Sequence, residues 1–397
     1  SKWPDTPDCA DAANALASRL ANERSLRNAL DPQGVANALN ALSKWPGTPD
    51  CADAANALAS RLANDHELRN ALNPQGVANV LNALSKWPDT PDCADAANAL
   101  ASRLADERSL RNALDPQGVA NVLNAMSKWP DTPDCAAVAC ALASRLANNR
   151  DLRNALTPQE LANALNALSK WPDTPDCADA ANALASRLID NRDLRNALTP
   201  QELANALNAL SKWPDTPDCA DAANALASRL ANERSLRNAL DPQGVANALN
   251  ALSKWPGTPD CADAANALAS RLANDRESRN ALNPQGVANA LNALSKWPGT
   301  PDCAAAASAL ASRLANDRDL RNALTPQELA NALNALSKWP DTPDCADAAN
   351  ALASRLANER SLRNALDPQG VANALNALSK WPGTPDCADA ANALASR

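Results

Sequence analysis

The most legible stretch of the chain runs from Thr157 to Trp171, TPQELANALNALSKW. Leu161, Ala164, Leu165 and Leu168 recur there at helical spacing. Thr157 stands as N-cap, Pro158 in the first turn, and Glu160 closes a capping box; Pro172 ends the helix. We call this helix A. Thr174-Pro175 starts a second helix, B, expected from about Pro175 to Leu188. Leu184 and Leu188 share one of its faces, with Cys177 and Ala181 above them. A short third helix, C, is expected from Arg192 to Leu198, where Thr199-Pro200 opens the next helix A.

The same pattern returns along the whole chain. Trp3, Trp45, Trp87, Trp129, Trp171, Trp213, Trp255, Trp297, Trp339 and Trp381 are all 42 residues apart, and Ser-Lys-Trp-Pro opens each unit. Nine full repeats begin at Ser1, Ser43, Ser85, Ser127, Ser169, Ser211, Ser253, Ser295 and Ser337 and fill residues 1–378; a partial one covers 379–397. Residues 1–42, 211–252 and 337–378 are identical. A fixed period of this length marks a solenoid or propeller. β-Branched and aromatic residues are scarce and Ala dominates, which excludes β blades. The expectation is a single all-α tandem-repeat array: an α-solenoid without strands, three helices per repeat. Taken in the order C, A, B, the helices run short, medium, long. That resembles armadillo and HEAT repeats and implies an α-superhelix. Arrays normally end in polar capping repeats. None is present, nor a non-repeat domain, so the sequence reads as a stretch of a longer protein.

Comparison of the repeats separates packing from candidate contacts. Where helix A is capped by Asp31, Asn73 or Asp115, its third residue is Gly34, Gly76 or Gly118; where the cap is Thr157, Thr199 or Thr325, it is Glu160, Glu202 or Glu328. Thr caps less well than Asp or Asn and is completed by the Glu of a capping box; a readout code at these positions is the functional alternative. On helix B, Asp11, Asn14 and Ser18 form a stripe on one face. It recurs as Asp53 and Asn56, as Asp95 and Asn98, and through Asn182, Asn224, Asn266 and Asn350; Cys140 and Ser308 replace the Asn in two repeats. The stripe is either a solvated face or a ladder of groove contacts. A third stripe lies on helix A: Asn37, Asn40 and Lys44, then Asn79, Asn82 and Lys86, then Asn121, Asn124 and Lys128. It is either a polar outer face or a set of contacts to bases and phosphates.

Composition narrows the chemistry. The 397 residues include ten Trp but no Phe or Tyr, one His and one Met; 37 Lys and Arg against 45 Asp and Glu leave a net charge of −8. No apolar run is long enough to span a membrane, and no secretory leader is visible. The lone His66 takes the place of an Arg found in other repeats, such as Arg24 and Arg108. No phosphate loop or nucleophile motif occurs, so no enzyme activity is expected. Ten of the eleven Cys, from Cys9 onward, sit in the first turn of a helix B. Neighbouring copies would be one helix spacing apart, too far for a disulfide. Without His or Cys-x-x-Cys pairs, no metal or cofactor is expected, and unpaired thiols fit a reducing compartment. The Trp residues read as core between repeats.

Ten regular Ser-Lys-Trp-Pro starts resemble the SKWP-repeat family, type III secreted effectors of plant-pathogenic bacteria. That resemblance covers the whole chain. It implies a long α-superhelix acting as a virulence factor in the host cytosol or nucleus, without enzyme activity. Helix A also resembles, over about 15 residues per repeat, the helix of octotricopeptide repeats, which bind RNA. Two functions follow: a monomeric scaffold whose groove holds a host protein or an extended peptide, or an array reading single-stranded RNA. The acidic balance favours the first, because nucleic-acid binders carry a basic footprint.

Overall fold

The computed structural model describes residues 7–396. The opening Ser1-Lys2-Trp3-Pro4 lies outside them, as does the side chain of Cys9. The described residues are helices and short turns, without a strand. They form two compact units, Ser1–Asn196 and Ala197–Arg397. The division falls inside the short helix Arg192–Ala197 rather than at a repeat boundary.

In the first unit the long B helices are Pro7–Asn22, Pro49–Asn64, Pro91–Asp106, Pro133–Asn148 and Pro175–Asp190. The A helices are Pro32–Leu42, Pro74–Leu84, Pro116–Met126 and Pro158–Leu168, and the C helices Arg24–Ala29, His66–Ala71, Arg108–Asn112 and Arg150–Ala155. The second unit repeats the set, with A helices such as Pro242–Leu252, B helices such as Pro259–Asn274 and C helices such as Arg276–Ala281. Within each unit every helix A packs on the next helix A, and every helix B on the next helix B. Two layers result, with the C helices linking them. This is the α-solenoid of three helices per repeat, in the expected short–medium–long order. Helix B extends to Asp190, two residues past the expected Leu188, and helix C stops at Ala197, one short of Leu198.

The core is built from Ala and Leu. On helix B, Cys51, Ala54, Ala55, Leu58, Ala59 and Leu62 are fully buried; on helix A, Val77, Ala78, Val80, Leu81, Ala83 and Leu84 are too. A face this wide exceeds the usual amphipathic stripe, because each helix touches both its neighbours in its own layer and the other layer. Ala at five of these twelve positions lets the backbones approach closely. Leu68 and Leu72 anchor helix C.

The helix starts agree with the cap pattern. Thr157, Thr199 and Thr325 each form a complete capping box with Glu160, Glu202 and Glu328. In the other repeats an Asp or Asn side chain accepts closely from the Gly amide, 2.7 Å for Asp115 and Gly118, against 3.3 Å for Thr157 and Glu160. A Cβ at Gly118 would stand 2.9 Å from that Asp115 oxygen. The close Asp cap therefore requires Gly, and the looser Thr cap admits Glu.

Candidate interaction surfaces

Ser, Trp and Pro of the Ser-Lys-Trp-Pro turn each have a place. Ser85 Oγ donates to the Asn82 carbonyl, 2.7 Å, and closes the end of helix A. Trp87 Nε1 crosses to the preceding repeat and donates to the Pro46 carbonyl, 3.1 Å. The same bond recurs from Trp129 to Pro88 and from Trp297 to Pro256. Pro ends helix A, and its carbonyl receives the next indole. Among the described residues the Trp ladder is thus a hydrogen-bonded seam between repeats, and its rings are buried or half-buried.

Two arginines per repeat are also engaged inside the protein. Arg69 donates to the carbonyls of Leu62 and Ala63, at the end of the preceding helix B, at 2.6 and 2.5 Å. Arg145 reaches back one repeat to the carbonyls of Arg111 and Leu114, at the end of helix C, at 2.7 and 2.9 Å. Arg27, Arg111, Arg153, Arg237 and Arg279 repeat the first pattern, and Arg61, Arg103, Arg271 and Arg313 the second. The last carbonyls of a helix lack intrahelical partners and carry partial negative charge, so a guanidinium there satisfies both needs. Sequence reasoning missed this role. Its signal was present: these arginines recur without substitution, whereas the neighbouring position varies between Arg24 and His66.

The predicted helix B stripe divides into three environments. Asp11, Asp53 and Asp95 are exposed. At the next position Asn98 is exposed, while Asn14, Asn56, Cys140, Asn182, Asn224, Asn266, Ser308 and Asn350 are half-buried between helices. Asn14 accepts from the Cys51 thiol at 3.9 Å, Asn224 and Asn266 donate to Asp260 and Asp302 at 2.9 and 3.1 Å, and Ser308 donates to Asp344. This rung joins one helix B to the first turn of the next. The third position, that of Ser18, faces a recess between helix C of one repeat and helix B of the following one. Its lining includes Arg24, Arg27, Asn28, Ser60, Arg61, Asn64 and the more distant Asp92. Recesses of the same kind occur around Arg150, Arg234 and Arg276, with volumes of about 620–880 Å³. Around Ser308 the recess widens to take in Ala305 and Ser308 themselves, where most other repeats carry Asp and Asn.

The helix A stripe stands apart. Asn37, Asn40 and Lys44 are exposed; Asn79, Asn82, Asn121 and Asn124 are half-buried, with Lys86 and Lys128 exposed. Gln33 donates to Asn37 at 3.0 Å, along the same helix. Among the described residues, no side-chain hydrogen bond joins Asn40, Asn82 or Asn124 to a neighbouring repeat. The lysines form a row close enough to interact: partial burial, Lys86 and Lys170 hold Lys128 below the usual lysine range.

Burial pushes the thiols of Cys93, Cys219 and Cys345 up to about 12. Among the described residues no three His, Cys, Asp or Glu side chains are grouped to hold a metal ion, and no helix is long and apolar enough to cross a membrane.

No family model and no curated protein sequence matches the chain. Solved structures do. An engineered protein from a structural genomics consortium is 16% identical over 96% of this chain and 98% of its own, with a TM-score of 0.36. SYS-1 is 12% identical over 100% of this chain and 85% of its own, TM-score 0.20. The SYS-1/POP-1 complex gives 13%, 100%, 85% and 0.21. At such values these likenesses carry no argument about what the chain binds.

Proposed function

We propose that the protein is a non-catalytic interaction scaffold, and that an extended polypeptide lies along the recesses between successive C and B helices. The observation that carries this reading is their recurrence with the same lining, a guanidinium, an amide and a hydroxyl per repeat. A polypeptide backbone presents amide donors and acceptors at a regular interval, and a periodic row of such side chains matches it. Arg27 and Arg61 are held by helix ends, which leaves the exposed Arg24 and Asn28 and the half-buried Ser60 to make the contacts. Resemblance to SKWP-repeat effectors adds the setting: a bacterial protein secreted into a plant cell, with a host protein as partner.

Charge reversal at Arg24, Arg108 and Arg150 tests the reading. Capture of a host protein from nuclease-treated lysate is expected to disappear, with helix content unchanged. Undiminished capture would overturn the recess as the binding surface.

One observation favours a second reading, single-stranded RNA on helix A. The Lys86–Lys128–Lys170 row is a like-charged ladder flanked by free amides, and a phosphate backbone would relieve its repulsion. Filter binding of homopolymers at about 0.15 M salt decides it; lack of retention of any of them removes it.

A further inference from the structure

The rung between B helices has one exceptional member. In four other repeats the side chain at the Asn14 position meets the first turn of the next helix B, as Asn14 with Cys51, Asn224 with Asp260, Asn266 with Asp302, and Ser308 with Asp344. In the fourth repeat that side chain is Cys140, and the first turn it meets contains Asp176 and Cys177. Cys140 and Cys177 hold the positions that Asn14 and Cys51 hold three repeats earlier, where the two side chains meet at 3.9 Å, and the helices that carry them pack on each other. Both are free thiols, Cys140 half-buried and Cys177 buried. No other repeat has a second cysteine, so no other first-turn thiol meets a thiol in this way.

We propose that Cys140 and Cys177 are a disulfide-forming pair that staples the helices Pro133–Asn148 and Pro175–Asp190 of adjacent repeats when the protein meets a low-molecular-weight disulfide. The chemistry is two successive exchanges. Cys140, the more accessible thiol, gives up its proton and attacks one sulfur of the small disulfide. A mixed disulfide forms, and the first small thiol leaves and takes a proton. Cys177 then loses its proton and attacks the Cys140 sulfur, expelling the second small thiol, which is protonated in turn. Two cysteine thiols are oxidised to one disulfide, and one small disulfide is reduced to two thiols.

Burial holds both thiols above the ordinary cysteine range, Cys177 up to about 12. The pair therefore stays reduced against brief exposure and closes under sustained oxidant or alkaline conditions. The bond would close the same 37-residue separation that parts Asn14 from Cys51. In an array held by neighbour contacts it fixes one interface and leaves the others as they were.

The experiment uses the full chain with oxidised glutathione at about pH 8.5, quenched by alkylation, digested without reduction and read by mass spectrometry. The expected product is a cross-link from the Cys140 peptide to the peptide Trp171–Arg187, lost on reduction. That second peptide has the same sequence around Cys9, Cys93, Cys219 and Cys345, so variants make the assignment. Cys177→Ala is expected to abolish the cross-link and Cys93→Ala to leave it. Cys140→Asn, which restores the residue most repeats carry, is expected to abolish it with unchanged helix content. Amide exchange in helices 133–148 and 175–190 is expected to slow about tenfold or more on oxidation. A mixed disulfide at Cys140 that never resolves, a Cys140 left as free thiol, or a cross-link that survives Cys177→Ala would each overturn the proposal.

Discussion

Arg103 lies on helix Pro91–Asp106, and its guanidinium donates to the carbonyls of Arg69 and Leu72 at the end of the preceding repeat's helix C, the latter at 3.0 Å. Its side chain is only 12% exposed. Replacing it with Met keeps an apolar stem of similar length and removes both bonds. Hydrogen bonds to a charged group contribute about 1.5–3 kcal/mol each, and an unpaired buried carbonyl costs about 1–3 kcal/mol. Water can reach the exposed 12% of the side chain and replaces part of each bond. The Arg103–Glu107 pair adds little, because Glu107 is 44% exposed and such pairs contribute about 0–1 kcal/mol. The net loss is about 2–3 kcal/mol, which is about 30- to 150-fold in the opening equilibrium of that interface. Native-state hydrogen exchange reads it directly. Amides of helices His66–Ala71 and Pro91–Asp106 should exchange faster by that factor, and those two repeats away should be unchanged. Arg103→Lys should recover part of the loss, since one ammonium can reach one carbonyl. An acceleration below about threefold would refute the view that these arginines hold the helix ends.

Gly118→Glu should cost about 1–2 kcal/mol by chemical denaturation, because its Cβ would stand 2.9 Å from the Asp115 oxygen; adding Asp115→Thr should recover the loss by completing a capping box. Trp171→Phe removes the 3.0 Å bond from Nε1 to the Pro130 carbonyl and should cost about 1–2 kcal/mol, seen as faster exchange in the turn that follows helix Pro116–Met126. The buried thiols, raised to about 12 at Cys93, Cys219 and Cys345, make stability fall with rising pH. An unfolded thiol ionises near about 8.5 while the folded one remains neutral, so protons are lost on unfolding. The contribution is full below that pH and declines above it. Denaturation midpoints should drop between about pH 8 and 10, and Cys→Ala replacement at these three sites should flatten the profile.

The fold was legible because its signals are local. Thr157, Pro158 and Glu160 mark a helix start within four residues, and Pro172 marks its end. The Trp period then assembles three helices into a repeat. What stayed illegible depends on the register between repeats. Nothing within one repeat tells that Asn14 meets Cys51 rather than solvent, or that Arg145 reaches the carbonyls of Arg111 and Leu114. These contacts span 31–37 residues and need the stacking of like helices to be known first. The same holds for Cys140. As a single substitution it reads as a variant groove contact, and only the stacking places it against Cys177. The structure also separates the two candidate ladders by chemistry. The middle rung of the helix B stripe is tied between repeats at Asn14, Asn224, Asn266 and Ser308, whereas the helix A amides and lysines and the exposed Arg24 position are not.

The central claim is that side chains lining the recess, rather than the helix A row, engage a partner. The most direct measurement compares two charge-reversal variants of the full chain in one capture experiment with nuclease-treated host lysate. One carries Glu at Arg24, Arg108 and Arg150; the other carries Glu at Lys86, Lys128 and Lys170. The first variant should lose the captured protein and the second should keep it. Retention by the first with loss by the second would contradict it and move the binding surface to helix A.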